Sequence, residues 1–176
     1  MSRFPGVVLV GFMGAGKTAV GRAVSRLTGA AFVDLDDRIE SVAGATVSEI
    51  FREHGEEGFR ELEKRAIREA VSVPGRVVAT GGGAFVDPGN RSLLKGYAPV
   101  VHLDVTPETV LQRVGKDDRR PLLRGEERER KIRELMALRR EAYEEADITI
   151  PTDRKSVPEI AAQVVAAAGR ARGGSR

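Results

Sequence analysis

The chain reads as α/β, a parallel sheet covered by helices on both faces, and three features of the sequence predict it. Short apolar runs alternate with longer segments of helical spacing. The runs are continuous rather than alternating, as suits strands buried on both faces. A glycine-rich segment, GFMGAGKTAVGR, separates the first run from the first helical pattern. In order, the predicted strands are VVLV at 7–10, AAFVDLD at 30–36, VVAT at 77–80, PVVHLDV at 99–105 and ITI at 148–150. Helical patterns begin at Lys17, run through a charged excursion from about Asp37 to Val71, span about Glu126 to Glu145, and close the chain over Val157 to Ala168.

No linker or internal repeat divides the 176 residues, so one domain is expected over 1–168, with two excursions from its core, at about 36–71 and about 115–127. With 41% hydrophobic residues but no apolar tract of about 18, no membrane partner is expected. The N-terminal segment does not have the pattern of a signal peptide, which points to a cytoplasmic location. Absence of cysteine excludes disulfides, thiolate metal sites and cysteine nucleophiles. Much of the small basic surplus lies in 169–176, read as a frayed, solvated tail; no aromatic residues are interleaved with its arginines, so no nucleic-acid partner is expected.

Gly11 to Thr18 fits G-x-x-x-x-G-K-[ST] between a strand and a helix, the context a phosphate-binding loop requires. Its glycines let backbone N–H groups turn toward phosphate oxygens. Lys17 reaches the terminal phosphates, Thr18 offers a hydroxyl to Mg²⁺, and the following helix points its positive end at the anion. Asn90 is the only asparagine, so the guanine-reading N-K-x-D of a GTPase is missing. A small phosphotransferase, working by positioning and charge neutralisation, remains.

Asp34-Leu35-Asp36 ends the second predicted strand. Residues i and i+2 of an extended strand end point the same way, so one carboxylate can serve the metal and the other an acceptor hydroxyl; Asp36 alone has a second reading, as a helix N-cap. Thr80-Gly81-Gly82-Gly83 follows the third run and is by itself either a turn or a binding loop. Its position at the same sheet edge favours binding. Arg139 falls on the apolar stripe of Ile132, Leu135, Met136 and Tyr143, where a guanidinium must find an anion, either an internal carboxylate or an acidic ligand. Arg60 has Glu63 at i,i+3 and reads equally as a surface ion pair. The segment around Arg119-Arg120-Pro121 is a solvated loop when taken alone, and a lid if it brings an arginine onto the transferring phosphate.

GFMGAGKT, DLD, GFRELE, TGGG, RRPLL and MALRREAY, in this order, resemble the shikimate kinases, from about Val7 to Val165. The resemblance implies a three-layer P-loop kinase fold with a five-stranded parallel sheet, a helical substrate subdomain and a lid. It implies ATP-dependent phosphorylation of the 3-hydroxyl of shikimate on the route to chorismate, by an expected monomer with Mg²⁺. Carried over, Gly14, Ala15, Gly16, Lys17, Thr18 and Ala19 hold the ATP phosphates, and Thr18 and Asp34 serve Mg²⁺. Asp36 binds the acceptor hydroxyl as base or orienting group, Arg60 and Arg139 clamp the shikimate carboxylate, and Gly81, Gly82 and Gly83 approach the ring hydroxyls. Arg120 closes on the phosphates, so Lys17, Asp36 and Arg120 form the implied catalytic set, and Arg113 and Arg154 flank the adenine. Two departures from the family pattern stand out: Ala19 replaces a frequent second hydroxyl residue, and the segment at 153–158 differs in length. A kinase for gluconate or a nucleoside monophosphate fits TGGG, FRELE and RRPLL less well, and a non-catalytic nucleotide binder would not need Lys17, Asp36 and Arg120 together.

Overall fold

The computed structural model of the protein describes residues 4–114 and 127–173. Its strands are β1 (Val7–Val10), β2 (Phe32–Asp34), β3 (Val77–Ala79), β4 (Val100–Asp104) and β5 (Ile148–Pro151). They form one sheet in the order β2-β3-β1-β4-β5, every pairing parallel. The four side chains of β1 are completely buried. Covering such a strand on both faces takes helices on both sides, each buried Val or Leu contributing about 1.5–3 kcal/mol.

The helices among the described residues are α1 (Lys17–Thr28), α2 (Leu35–Ala43), α3 (Val47–Val71), α4 (Pro88–Tyr97), α5 (Pro107–Val114), α6 (Arg128–Glu144) and α7 (Val157–Gly173). Helix α1 packs on α7, α2 on α3, α3 on α4 and α5 on α6. Local chemistry sets the starts: Thr46 and Glu49 form a reciprocal capping box for α3, and Asp87 caps α4 with Pro88 in its first turn.

Three boundaries differ from the sequence reading. The second strand stops at Asp34 and a helix begins at Leu35, because the Asp34 side chain caps it. The excursion is two helices, with α3 itself broken at Gly55 (φ 67°). Helix α7 continues to Gly173, so residues 169–173 extend a helix where a frayed tail was predicted. The alanines at 166–168, strong helix formers, lead into that extension. The predicted lid, with Arg120, lies outside the described residues except for Glu127.

Register decides where the loops meet. Leu9 pairs with Ala79 and Asp34 with Ala79, so the three strands reach one level together. The segments beginning at Gly11, Leu35 and Thr80 therefore leave the sheet at one edge, the carboxyl end, where parallel sheets place ligands.

Candidate active site

The loop after β1 can start where it does only as glycine. A Cβ on Gly11, whose φ is 148°, would sit 2.6 Å from the Leu103 carbonyl oxygen of β4. Gly14, Ala15 and Gly16 carry the loop to α1, whose N-cap Gly16 offers no side-chain oxygen. The first turn, including the exposed Ala19, thus gets no capping side chain from Gly16, an arrangement that suits an anion at the helix start. Lys17 crosses back over the loop and donates to the carbonyls of Gly11 (2.7 Å) and Phe12 (2.9 Å).

Asp34 has two tasks. One carboxylate oxygen accepts from the backbone N–H groups of Asp36 (3.0 Å) and Asp37 (3.4 Å), capping α2, and the other accepts from the Thr18 hydroxyl at 2.5 Å. The expectation that Asp34 and Asp36 face one way from an extended strand is corrected here. Asp36 lies in the first turn of α2, and the helical turn brings it to the site. Among the described residues no group of three or more His, Cys, Asp or Glu could hold a metal by itself. The oxygen pair of Thr18 and Asp34 fits a hard divalent cation that takes its remaining ligands from phosphate and water.

The three glycines after β3 bring the predicted residues together. A Cβ on Gly81 would lie 3.0 Å from Asp36 Oδ1 and 3.2 Å from Glu63 Oε1; on Gly82, 3.0 Å from Arg139 Nη1; on Gly83, 2.7 Å from Arg60 Nη2. Asp36, Arg139 and Arg60 come from α2, α6 and α3, and all three rest against one side-chain-free stretch.

Arg60 pairs with Glu63 at 2.8 Å and with Glu56 at 3.3 Å, so the i,i+3 ion pair exists while the same guanidinium faces Gly83. Burial works against the Arg60 charge, but Glu63 and Glu56 outweigh it and raise its pKa. Glu63 is only 1% exposed, and among the described residues its Oε1 has no hydrogen-bond partner. Burial pushes its pKa up, Arg60 holds it down in part, and Asp36 and Asp87 add to the rise. Arg139 is half-buried with its guanidinium 5.4 Å from the centre of the Phe12 ring. Among the described residues it lies over Phe12 and near Tyr143, and no ion pair joins it to a described carboxylate.

On the far side of the loop, Arg113 of α5 donates to the Gly14 carbonyl at 2.8 Å. Arg154 stands in the turn after β5 with φ 59°. Asp153 beside it accepts from Thr106 N–H (3.2 Å), the Thr106 hydroxyl (2.9 Å) and the Thr109 hydroxyl, binding that turn to the segment after β4. Sequence reasoning missed this clasp, the unpartnered oxygen of Glu63 and the contacts of Tyr143. For Tyr143 the signal was there: it lies one turn beyond Arg139 but read as one more apolar position on the stripe.

A phosphate loop facing two guanidinium groups and a carboxylate across a glycine stretch defines a P-loop phosphotransferase for a small, anionic acceptor. The shikimate kinase family profile matches residues 13–168. The chain is 46% identical over 158 residues to a shikimate kinase of Geobacter sulfurreducens, covering 90% of this chain and 87% of that one. It is 42% identical over 161 residues to a shikimate kinase of Caldanaerobacter subterraneus subsp. tengcongensis, covering 92% and 94%. The solved structure of a shikimate kinase from Acinetobacter baumannii in complex with shikimate superposes with a TM-score of 0.90 at 40% identity, covering 98% of this chain and 96% of that one. The chain belongs to the shikimate kinase family.

Proposed function

We propose that this protein transfers the γ-phosphoryl group of ATP to the 3-hydroxyl of shikimate, giving shikimate 3-phosphate and ADP. The observation that carries the reading is the convergence of Asp36, Arg139 and Arg60 on Gly81–Gly83, beside the loop that holds Lys17. The hydroxyl oxygen bonds to the γ-phosphorus as the bond from that phosphorus to the β,γ-bridging oxygen breaks. The hydroxyl proton passes toward Asp36, which orients the nucleophile and takes the proton late in a loose transition state.

Arg60 and Arg139 hold the acceptor's carboxylate, and Gly81 to Gly83 admit its ring because no side chain fills that space. Gly14 to Ala19 cradle the phosphates through backbone N–H groups, with Lys17 on the terminal ones. Thr18 and Asp34 would hold Mg²⁺, which neutralises charge on the phosphates. Arg113 and Arg154 flank the adenine, and Arg120, outside the described residues, closes onto the phosphates. The protein works as a cytoplasmic monomer without a nucleic-acid or membrane partner; among the described residues no helix is long and apolar enough to cross a membrane.

A coupled ADP-release assay with Mg-ATP, run on shikimate beside gluconate and a set of nucleoside monophosphates, tests the reading. Turnover confined to shikimate is expected. Turnover only with another acceptor would keep the phosphate chemistry and overturn the assignment of Arg60, Arg139 and Gly81–Gly83.

A further inference from the structure

Glycine peptides are the least constrained in a chain, so a run of three at a binding site needs an outside partner to fix its peptide planes. Among the described residues Tyr143 supplies one. It is only 4% exposed, and its hydroxyl donates to the Gly82 carbonyl oxygen. Its ring stacks on His102 of β4, with centroids 4.8 Å apart and planes at 23°. Arg139 lies four residues earlier on α6, one turn away on the same face, and its positive charge acts on the phenol. Arg139 in turn lies over Phe12 and against Gly82. One phenol thus ties the sheet, the glycine loop and the clamp arginine into a single unit.

We infer that Tyr143 is a positioning residue for the acceptor half of the site: it fixes the Gly82 peptide and the Arg139 guanidinium relative to each other, while itself remaining behind them. The inference rests on the reading of Arg139 and Gly82 as acceptor-binding. The ring's burial and stacking are contributions to the core that any aromatic would make. The hydroxyl is different, because phenylalanine would take the Tyr143 bond from the Gly82 carbonyl and loosen the peptide against which Arg139 rests.

Tyr143→Phe keeps the ring against His102 and removes one atom, so it separates the two contributions. With the full chain, Mg-ATP and shikimate, the shikimate KM is expected to rise about threefold to tenfold, the scale of one hydrogen bond, with the ATP KM within about twofold of the parent value. Val164→Ala, a cavity variant in α7, is run beside it to show what lost stability alone does to both constants. Equal shikimate KM values for Tyr143→Phe and the parent, or a rise in both KM values matching that of Val164→Ala, would overturn the inference. Arg139→Ala in the same assay keeps two failures apart. If it raises the shikimate KM and Tyr143→Phe does not, the positioning role is wrong and the clamp stands; if Arg139→Ala leaves that KM unchanged, the clamp itself is wrong.

Discussion

Gly83→Ala is a one-atom test of the carboxylate clamp. Gly83 has φ −98° and ψ −9°, a negative-φ conformation open to alanine as it is to the third residue of a type I turn, so the substitution needs no left-handed backbone. Its Cβ would stand 2.7 Å from Arg60 Nη2, and ordinary contact begins at 3.4 Å, so the guanidinium must retreat by 0.7 Å. The retreat costs little stability, because the displaced atom ends a long side chain and alanine gains about 0.4–1 kcal/mol from a stiffer unfolded chain. The midpoint of thermal unfolding should stay within about 3 °C of the parent. Catalysis should suffer far more. A misplacement of about 1 Å costs on the order of 100-fold, so 0.7 Å predicts a loss of roughly 25-fold in kcat/KM for shikimate, about 2 kcal/mol. Steady-state kinetics with each substrate varied in turn read this directly, the ATP KM being unaffected. Gly82→Ala, whose Cβ would meet Arg139 at 3.0 Å, should lose less. If Gly83→Ala matched the parent within twofold, or lost less than Gly82→Ala, Arg60 would not be held in place for the acceptor.

Other substitutions separate the remaining roles. Asp36→Asn should bind ATP as the parent does in calorimetry but lose on the order of 100-fold in kcat, the scale of general-base assistance; retention of half the turnover would remove Asp36 from the chemistry. Arg113→Ala, which removes the hydrogen bond to Gly14, should raise the ATP KM while leaving the shikimate KM alone. Burial holds the pKa of His102 below the ordinary 6.5, with Asp104 opposing and Lys17 assisting. A depressed histidine contributes stability that is complete above about 6.5 and lost as pH falls through the lower, folded value. The unfolding midpoint should therefore fall on acidification below about pH 6.5, and His102→Phe should lessen that fall; identical pH dependence in the two proteins would refute it.

What could be read from residues alone depended on how local the cause was. The run at 7–10 became β1 with its limits unchanged, because four consecutive buried apolar residues followed by a glycine leave little choice. The inward placement of Arg139 was legible because helical periodicity is local. So was the pairing of Arg60 with Glu63 across one turn. The end of β2 was not, since Asp34-Leu35-Asp36 suits both a strand end and a helix start. The outcome turned on Asp34 capping its own successors while also accepting from Thr18, sixteen positions earlier. Tyr143 and Asp153 escaped for the opposite reason: their partners, Gly82 and Thr106, are 61 and 47 positions away, and no periodicity reports such a contact.

Because Asp34 has two tasks, its substitutions should give different answers, and that difference tests the metal assignment. Asparagine caps a helix about as well as aspartate, so Asp34→Asn keeps an oxygen for the N–H groups of Asp36 and Asp37. It removes the negative charge and turns a donor toward Thr18, whose hydroxyl now has to accept. Asp34→Ala loses the cap as well, at a further cost of about 1 kcal/mol. Thermal unfolding without nucleotide should thus place Asp34→Asn near the parent and Asp34→Ala lower by about 3 °C. A Mg²⁺ titration of turnover should place the two variants together, both needing far more Mg²⁺ than the parent, because the cation responds to the lost carboxylate and not to the cap. Were Asp34→Asn to keep the parent's Mg²⁺ requirement while Asp34→Ala lost activity, the carboxylate would act only by starting α2 and aiming Asp36, and Thr18 would have to meet the cation without it.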